Sequence, residues 1–224
     1  MQLIVCPYCG RQISPYAERC PGCGFPGWRF APVPLGLKRG DCWKFGMWGG
    51  EAIEWRVLAV EDGRALLLTD WAVDAEPYNR EWNGFDWAHC TLRRWLNGAF
   101  LWDAFSATER AVIAEAPAAN DDSSGWDVPG ESAARDRVFC LSTDDALRYF
   151  ADDDARVCRP TRRARFRGAY VSNSGTCGWW LRFPGDGLVG GAPVVDPNGV
   201  IRMADYSAVH DGYTGVRPAI WLNL

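Results

Sequence analysis

Residues 53–69 read Ile-Glu-Trp-Arg-Val-Leu-Ala-Val-Glu-Asp-Gly-Arg-Ala-Leu-Leu-Leu-Thr, and this stretch decides how the larger part of the chain folds. Its first half, Ile53 to Val60, is rich in residues that favour β-strands, and Arg64 to Thr69 is a second apolar run. Glu61-Asp62-Gly63 lies between the two runs, and an Asp-Gly pair in that position is a strong hairpin signal. We therefore predict two antiparallel strands joined by a turn.

Helical signals follow this hairpin. Thr91 is placed to cap a helix, and apolar residues then recur at helical spacing. These residues are Leu92, Trp95, Leu96, Ala99 and Phe100. Asn97-Gly98 weakens the pattern, which predicts a short or kinked helix. Capping motifs at Ser106 and Ser142 predict two further helices.

Strand candidates close the chain. They lie at residues 178–183, 192–195, 200–203 and 216–223, and turn residues separate them. Because helices lie in the middle of the sequence and strands at both ends, the predicted class is α+β.

Two Cys-x-x-Cys pairs precede this domain. The pattern is Cys6-Pro-Tyr-Cys9-Gly, ten residues, then Cys20-Pro-Gly-Cys23-Gly. Each pair forms a tight knuckle, and two knuckles supply the tetrahedral four-sulfur shell that zinc prefers. Four sulfurs leave no open position on the metal, so we predict one structural zinc ion in a small ribbon over residues 1–25. The alternative is a dithiol pair without metal.

The ribbon is followed by a linker. Residues 26–37 contain three Pro and two Gly, a composition that predicts a semi-rigid connection. The main domain is therefore assigned to residues 38–224.

Charge and cysteine usage narrow the functional classes. A net charge of −4 and a pI near 5.3 argue against general nucleic-acid binding. No signal peptide is visible, and no apolar run approaches the roughly 20 residues of a membrane helix. Five cysteines outside the two pairs have no paired spacing: Cys42, Cys90, Cys140, Cys158 and Cys177. Unpaired thiols beside a thiolate metal site fit a reducing compartment, so we predict a cytoplasmic protein.

Several phrases of the sequence resemble a known family. Among them are Ile53-Glu-Trp-Arg-Val-Leu58, Thr91-Leu-Arg-Arg-Trp-Leu-Asn97, Trp179-Trp-Leu-Arg182 and Gly215-Val-Arg-Pro-Ala219. Over about residues 37–224 the series resembles the bacterial family described as domain of unknown function 6273, which often has a zinc ribbon in front. The closing pattern is similar to the ends of C-type-lectin-like domains. The resemblance implies a C-type-lectin-like mixed domain whose loops after Trp180 form a binding face.

Two departures limit what the lectin resemblance implies. The residue triplets with which calcium-dependent lectins bind sugar are missing, so calcium-dependent glycan binding is not expected. The related formylglycine-generating enzymes use a close cysteine pair near the C-terminus. Here only Cys177 lies in that region, with Cys158 well upstream, so that chemistry is not predicted.

A dense basic run carries six arginines, namely Arg156, Arg159, Arg162, Arg163, Arg165 and Arg167. One interpretation is a contact to phosphate or nucleic acid. The interpretation that we favour is a surface segment paired with nearby Asp residues. The preceding Asp152-Asp153-Asp154 lacks the ligand spacing of a calcium loop and predicts a solvated turn.

Residues 183–213 combine Tyr, Asp, Ser and Gly, a composition typical of binding loops on a rigid base. The predicted ligand-binding residues, including two from the strand before the loops, are Trp179, Arg182, Asp186, Asp205, Tyr206, His210, Asp211 and Tyr213. The alternative is an ordinary loop cover over a Trp-rich core.

The leading hypothesis is a cytoplasmic, non-enzymatic recognition or adaptor protein that binds another protein or a small ligand. One variant of it is a variable protein diversified by a retroelement. A second hypothesis is an enzyme of unknown reaction that uses a free Cys or the Arg156–Arg167 cluster. A catalytic pair with His210 would need a free thiol, and nothing in the sequence specifies their meeting. A third is an RNA-binding protein that uses the ribbon and the arginines.

Overall fold

A computed structural model describes residues 3–14, 16–29, 34, 36–81, 86–118, 134–182, 191–202 and 209–224. The strands are β1 Ile4–Val5, β2 Gln12–Ile13, β3 Cys42–Trp48, β4 Glu51–Glu61, β5 Arg64–Thr69, β6 Asp74–Ala75, β7 Ile113–Ala114, β8 Ala116–Ala118, β9 Ala134–Asp136, β10 Trp179–Trp180, β11 Val194–Val195, β12 Ile201–Arg202, β13 Gly215–Val216 and β14 Ala219–Asn223. The α-helices are α1 Thr91–Trp95, α2 Leu101–Ala104, α3 Ala107–Val112, α4 Thr143–Tyr149, α5 Asp153–Arg156 and α6 Arg162–Phe166. A 3₁₀ turn covers Gly27–Arg29 and a π-helical turn covers Leu96–Phe100. The predicted α+β class is confirmed.

The first large sheet has the order β3-β4-β5-β14-β7, and all its neighbours run antiparallel. The predicted hairpin forms β4 and β5, with Glu61 paired to Arg64 across a two-residue turn. Asp62 and Gly63 in that turn have φ of 49° and 70°, the left-handed conformation that a tight hairpin turn requires. The Asp-Gly signal therefore identified the fold's longest strand pair correctly.

The second sheet has the order β12-β11-β10-β13-β6, and only the β10–β13 pair in it is parallel. The strand predicted at 216–223 is divided between the two sheets, because it is interrupted at Arg217-Pro218. Proline has no N–H to donate to a ladder. β13 therefore ends in the second sheet and β14 begins in the first.

The helix signals are confirmed with one correction. Ser106 and Ser142 each form a capping box at the start of α3 and α4. The prediction that Thr91 caps the first helix is wrong by one position, since the Cys90 thiol accepts the N–H of Arg93. The predicted kink occurs at Gly98, whose φ of −104° and ψ of −107° are not helical.

None of the helices in the described part of the chain has the length and apolar character that a membrane crossing requires.

Gly199 lies close to the backbone of a neighbouring segment. Gly199 has φ of +85°, and an added Cβ would lie 1.8 Å from the carbonyl oxygen of Asp153. Gly50 has the same φ but open space where its Cβ would be. We expect Gly50→Ala to cost about 1 kcal/mol from conformation alone, and Gly199→Ala to cost about 3 kcal/mol because a steric clash is added. Urea denaturation of both variants measures the difference, and equal losses would contradict it.

Candidate metal centre and ligand-binding face

The four predicted cysteine ligands lie together in the ribbon. The sulfurs of Cys6, Cys9, Cys20 and Cys23 all lie within 4.8 Å of one another. The Cys6–Cys23 sulfur distance is 3.7 Å and the Cys9–Cys20 distance is 3.6 Å. A tetrahedral metal site with metal–sulfur bonds of about 2.3 Å has sulfur–sulfur edges of about 3.8 Å. The cluster therefore has the dimensions of a four-sulfur metal site.

Two matching turns place these sulfurs. The Gly10 N–H donates to the Cys6 carbonyl at 2.9 Å, and the Gly24 N–H donates to the Cys20 carbonyl at 2.8 Å. Both glycines have φ near +74°, which other residues rarely adopt. Burial raises the pKa of Cys20, but hydrogen bonds from the backbone N–H groups of Gly22 and Cys23 lower it. The second effect is the larger, and the pKa of Cys20 is lowered to about 6. A thiolate is the form that binds metal.

An ion pair connects the segment after the ribbon to the main domain. The Arg29 Nε donates to Glu109 at 2.9 Å, and both side chains are more than nine-tenths buried. Glu109 also accepts the N–H of Gly46 at 3.2 Å and completes the Ser106 capping box. The start of the predicted linker is therefore attached to α3.

The predicted ligand-binding residues fall into three groups. Asp186, Asp205 and Tyr206 lie outside the described residues. Trp179 is fully buried, and its indole N–H donates to the Arg156 carbonyl at 3.1 Å. Arg182 is also buried and reaches the Cys140 carbonyl and Asp145, each at 3.0 Å. Trp179 and Arg182 therefore lie in the interior, beneath any surface that a ligand would touch first.

The remaining three predicted residues lie at the surface. His210 Nδ1 lies 2.7 Å from the Asn79 carbonyl, and the Tyr213 hydroxyl donates to Asp211. Tyr213 is 48% exposed. The other histidine, His89, contacts Asp86 at 2.8 Å.

A cavity of about 360 Å³ adjoins Tyr213. Its lining consists of Tyr170, Gly178, Val194, Asp196, Pro197, Tyr213 and Thr214. Tyr170 is 58% exposed, whereas Asp196 is buried and accepts the N–H groups of Asn198 and Val200. The sequence-based prediction missed Tyr170, because only the folded chain places it beside the C-terminal segment. The volume falls within the usual range of small-ligand sites.

The model of one protein family, Domain of unknown function (DUF6273), matches residues 62–224, which is more than half of the chain. The chain belongs to this family. The matched range begins inside the β4–β5 turn, later than the start near residue 37 that the sequence resemblance suggested. Searches of the curated proteins and of the solved structures each found no match.

Within the DUF6273 domain, part of the arginine run forms ion pairs with an acid in β6 and with one directly after it. Arg163 donates to Asp74 at 2.7 Å, and Arg167 reaches Glu76 at 2.7 Å. These acids are distant in sequence, so the favoured interpretation, pairing with the neighbouring Asp residues, does not hold for these two arginines. It holds for Arg156, which forms an ion pair with Asp153. Arg156 is buried and donates to the Gly199 carbonyl at 2.9 Å.

At Asp152-Asp153-Asp154 all three residues are exposed, as predicted for a solvated turn, but the segment begins a short helix. Asp153 begins α5, and the Asp152 carboxylate caps that helix by accepting the Ala155 N–H at 2.8 Å. A carboxylate at a helix start satisfies a backbone donor that has no partner within the helix. The sequence offered this signal, since Asp is a preferred capping residue.

The DUF6273 domain also brings together two cysteines that the sequence left unpaired. Cys158 and Cys177 are partners in an antiparallel bridge, and the Cys177 N–H donates to the Cys158 carbonyl at 2.9 Å. Both residues are buried. Their separation along the chain gave no indication of this contact.

Proposed function

We propose that this protein is a cytoplasmic, non-enzymatic recognition protein in which a zinc ribbon precedes a DUF6273 domain that binds a protein or small ligand. The main support for the proposal is the cavity that Tyr170 and Tyr213 help to line. Half-exposed tyrosines supply large contact area at low entropic cost, and they recur in binding surfaces for this reason. Short strands of the second sheet support the cavity lining. Gly178 and Thr214 directly precede β10 and β13, and Val194 belongs to β11.

Zinc is the metal proposed for the ribbon. Four thiolates at tetrahedral spacing suit a soft, geometrically undemanding cation, and zinc is the usual occupant of such sites. Cys6, Cys9, Cys20 and Cys23 would hold the ion and fill its coordination shell. Bound zinc would then supply stability to the ribbon and no catalytic chemistry.

The fold proposed for the DUF6273 domain is C-type-lectin-like. Strands from the two ends of the domain pair with each other, since β14 lies beside β5 and β13 lies beside β6. This pairing supports a C-type-lectin-like fold. Cytoplasmic location is supported by the thiol state of the cysteines outside the ribbon. Diversification of the C-terminal loops by a retroelement remains a variant of the proposal, and it requires codons 183–213 to vary more than the rest of the gene across a population.

A quantitative pull-down tests the proposed face. The baits are the whole protein, its Tyr213→Ala variant and its Trp102→Ala variant. Trp102 is also an exposed aromatic residue, but it lies on α2 and does not line the cavity. We expect a partner that the whole protein and Trp102→Ala retain equally and that Tyr213→Ala retains at least about tenfold less.

Two results would count against the proposal. A partner retained equally by all three baits would bind elsewhere on the protein. The absence of any retained protein, together with no small molecule released from denatured wild-type protein, would favour the enzymatic hypothesis instead.

A further inference from the structure

Cys158 and Cys177 are positioned to form a covalent bond. They lie directly opposite each other in an antiparallel bridge, with the backbone hydrogen bond at 2.9 Å. Directly opposed residues project their side chains to the same side of the ladder, with Cα atoms about 5.5 Å apart in a hydrogen-bonded pair. Disulfides form across Cα distances of about 4.4–6.8 Å. The expected Cα separation therefore falls within the disulfide range, and the two Cβ atoms need to approach by about 1 Å to form one.

A buried arginine stands beside this pair. Arg217 is 2% exposed, and its guanidinium donates only to main-chain carbonyls, those of Thr69 at 2.8 Å and of Arg156 and Asp70 at 3.4 Å. Among the residues that the structure describes, no carboxylate lies within ion-pair distance of Arg217. A buried cation without a carboxylate favours an anion nearby. A thiolate is the anion that this position offers.

The thiols respond to this environment in opposite ways. Burial opposes ionisation of Cys158, but a hydrogen bond from the Cys177 thiol and the charge of Arg217 lower the pKa of Cys158 to about 7. The same hydrogen bond, together with burial, raises the pKa of Cys177. The first proton is therefore lost from Cys158, and Cys177 keeps its own. An ionised thiol beside a protonated one is the arrangement that reactive dithiols use.

A cavity lies beside this site, although neither cysteine is among its lining residues. It has a volume of about 530 Å³, and its lining includes Asp70, Val157, Arg159 and Arg217. The Cys158 thiol donates to the Arg159 carbonyl at 3.5 Å and to the Asp70 carbonyl at 3.9 Å, and both of these residues line the cavity. A molecule as small as a peroxide needs only a slight local opening to reach the sulfur.

We propose that Cys158 and Cys177 are an oxidation site at which a hydroperoxide converts the two thiols into a disulfide. The Cys158 thiolate attacks one peroxide oxygen, the O–O bond breaks, and hydroxide leaves, so that Cys158 becomes a sulfenic acid. The Cys177 sulfur then attacks the Cys158 sulfur, and the S–O bond breaks. The departing hydroxyl group takes the Cys177 proton and leaves as water, and the hydroxide released in the first step takes a proton from solvent. Hydrogen peroxide is reduced to two waters and the pair loses two electrons.

Two other buried cysteines, Cys90 and Cys140, serve as internal controls for thiol reactivity. Burial raises the pKa of Cys90 to about 12 and also raises the pKa of Cys140. They share the burial of the proposed pair but remain protonated, so they should stay reduced. Cys42 is exposed and reports the reactivity of an ordinary surface thiol.

Mass spectrometry of the whole, zinc-loaded protein tests the proposal. Reduced protein is exposed to equimolar hydrogen peroxide, its remaining thiols are alkylated under denaturing conditions, and it is digested with trypsin. Cleavage after arginine, except before proline, places Cys158 in peptide 157–162 and Cys177 in peptide 168–182. We expect these two peptides to be recovered as one disulfide-linked species that dithiothreitol separates.

The pH dependence is a second readout. With a Cys158 pKa of about 7, the thiolate fraction and the rate of linkage should rise about tenfold between pH 6 and pH 8. The charged groups that face the pair are Arg217, Asp70 and Arg165. A rate that does not change over this range would overturn the assignment of Cys158 as the attacking thiol.

Two variants separate the pair from other thiols. In Cys177→Ser, linkage should disappear and dimedone should trap Cys158 as a sulfenic acid. In Cys42→Ser, the linked peptide should form at the wild-type rate. The proposal would be overturned if oxidised wild-type protein yielded peptides 157–162 and 168–182 as separate, alkylated species. This test uses wild-type protein and does not depend on whether any variant folds.

Discussion

Removing the metal from the four-cysteine cluster is expected to unfold the ribbon while the two large sheets persist. The ribbon's buried apolar set consists of Cys6, Ile13 and Cys20, against which Ile4 and Phe25 pack. So small a core cannot offset the conformational entropy of the segment by itself. Structural zinc contributes about 10–16 kcal/mol to such modules. Most of the ribbon's stability should therefore come from the ion.

Hydrogen–deuterium exchange measures this expectation. We expect Cys20→Ser, or treatment with a strong chelator, to abolish protection of amides in residues 4–25, and we expect elemental analysis of the untreated protein to find one zinc per chain. Cys42→Ser is the matched control, since Cys42 is an exposed thiol outside the cluster. Unchanged protection in Cys20→Ser, or wild-type protein without metal, would contradict the four-sulfur site.

Asp74→Ala is expected to destabilise the DUF6273 domain by about 3 kcal/mol. Asp74 is fully buried and accepts from the indole of Trp48 and from Arg163, each at 2.7 Å, with Arg167 at 3.4 Å. Alanine leaves the indole N–H and two guanidiniums without this acceptor. Losing one partner of a buried ion pair costs about 3–5 kcal/mol. We expect the lower value because Arg163 and Arg167 are partly exposed and can turn toward water.

The matched control is an exposed ion pair between β3 and β4 of the first sheet. Lys44 and Glu54 lie 3.6 Å apart, and both side chains are about half exposed. Glu54→Ala should therefore cost less than about 1 kcal/mol. Urea denaturation of the two variants measures both values. A loss in Asp74→Ala no larger than that in Glu54→Ala would show that the arginine segment is not held by this carboxylate.

The elements that the sequence predicted correctly depend on short-range chemistry. The β4–β5 turn follows from one Asp-Gly pair, the capping boxes from residues three apart, and the ribbon knuckles from paired cysteines. In each case the interacting atoms are neighbours along the chain, so a window of a few residues contains the whole signal. The four cysteine sulfurs lie together as predicted, although the contacts between the two pairs span 11 and 17 positions, because two Cys-x-x-Cys pairs in one short segment form a recognisable pattern.

The parts that the sequence did not predict depend on distant partners. β10 lies inside the second sheet between β11 and β13, and both of its residues, Trp179 and Trp180, are buried. A strand covered on both faces has no alternation to show which side meets solvent. Trp179, which the sequence analysis includes among the ligand-binding residues, packs in the interior. The Cys158–Cys177 contact and the pairing of Asp74 with Arg163 have the same origin, because they join segments that only the completed fold brings together.

The position of β14 determines when the first sheet can be completed. β14 lies between β5 and β7, and it is synthesised after both. Until β14 emerges from the ribosome, β5 and β7 each present an unpaired edge, and such edges can pair with other chains. Closing the sheet also requires contacts over a long sequence separation, which are slow to form. Nascent chains should therefore depend on chaperones longer than the early hairpin alone would suggest.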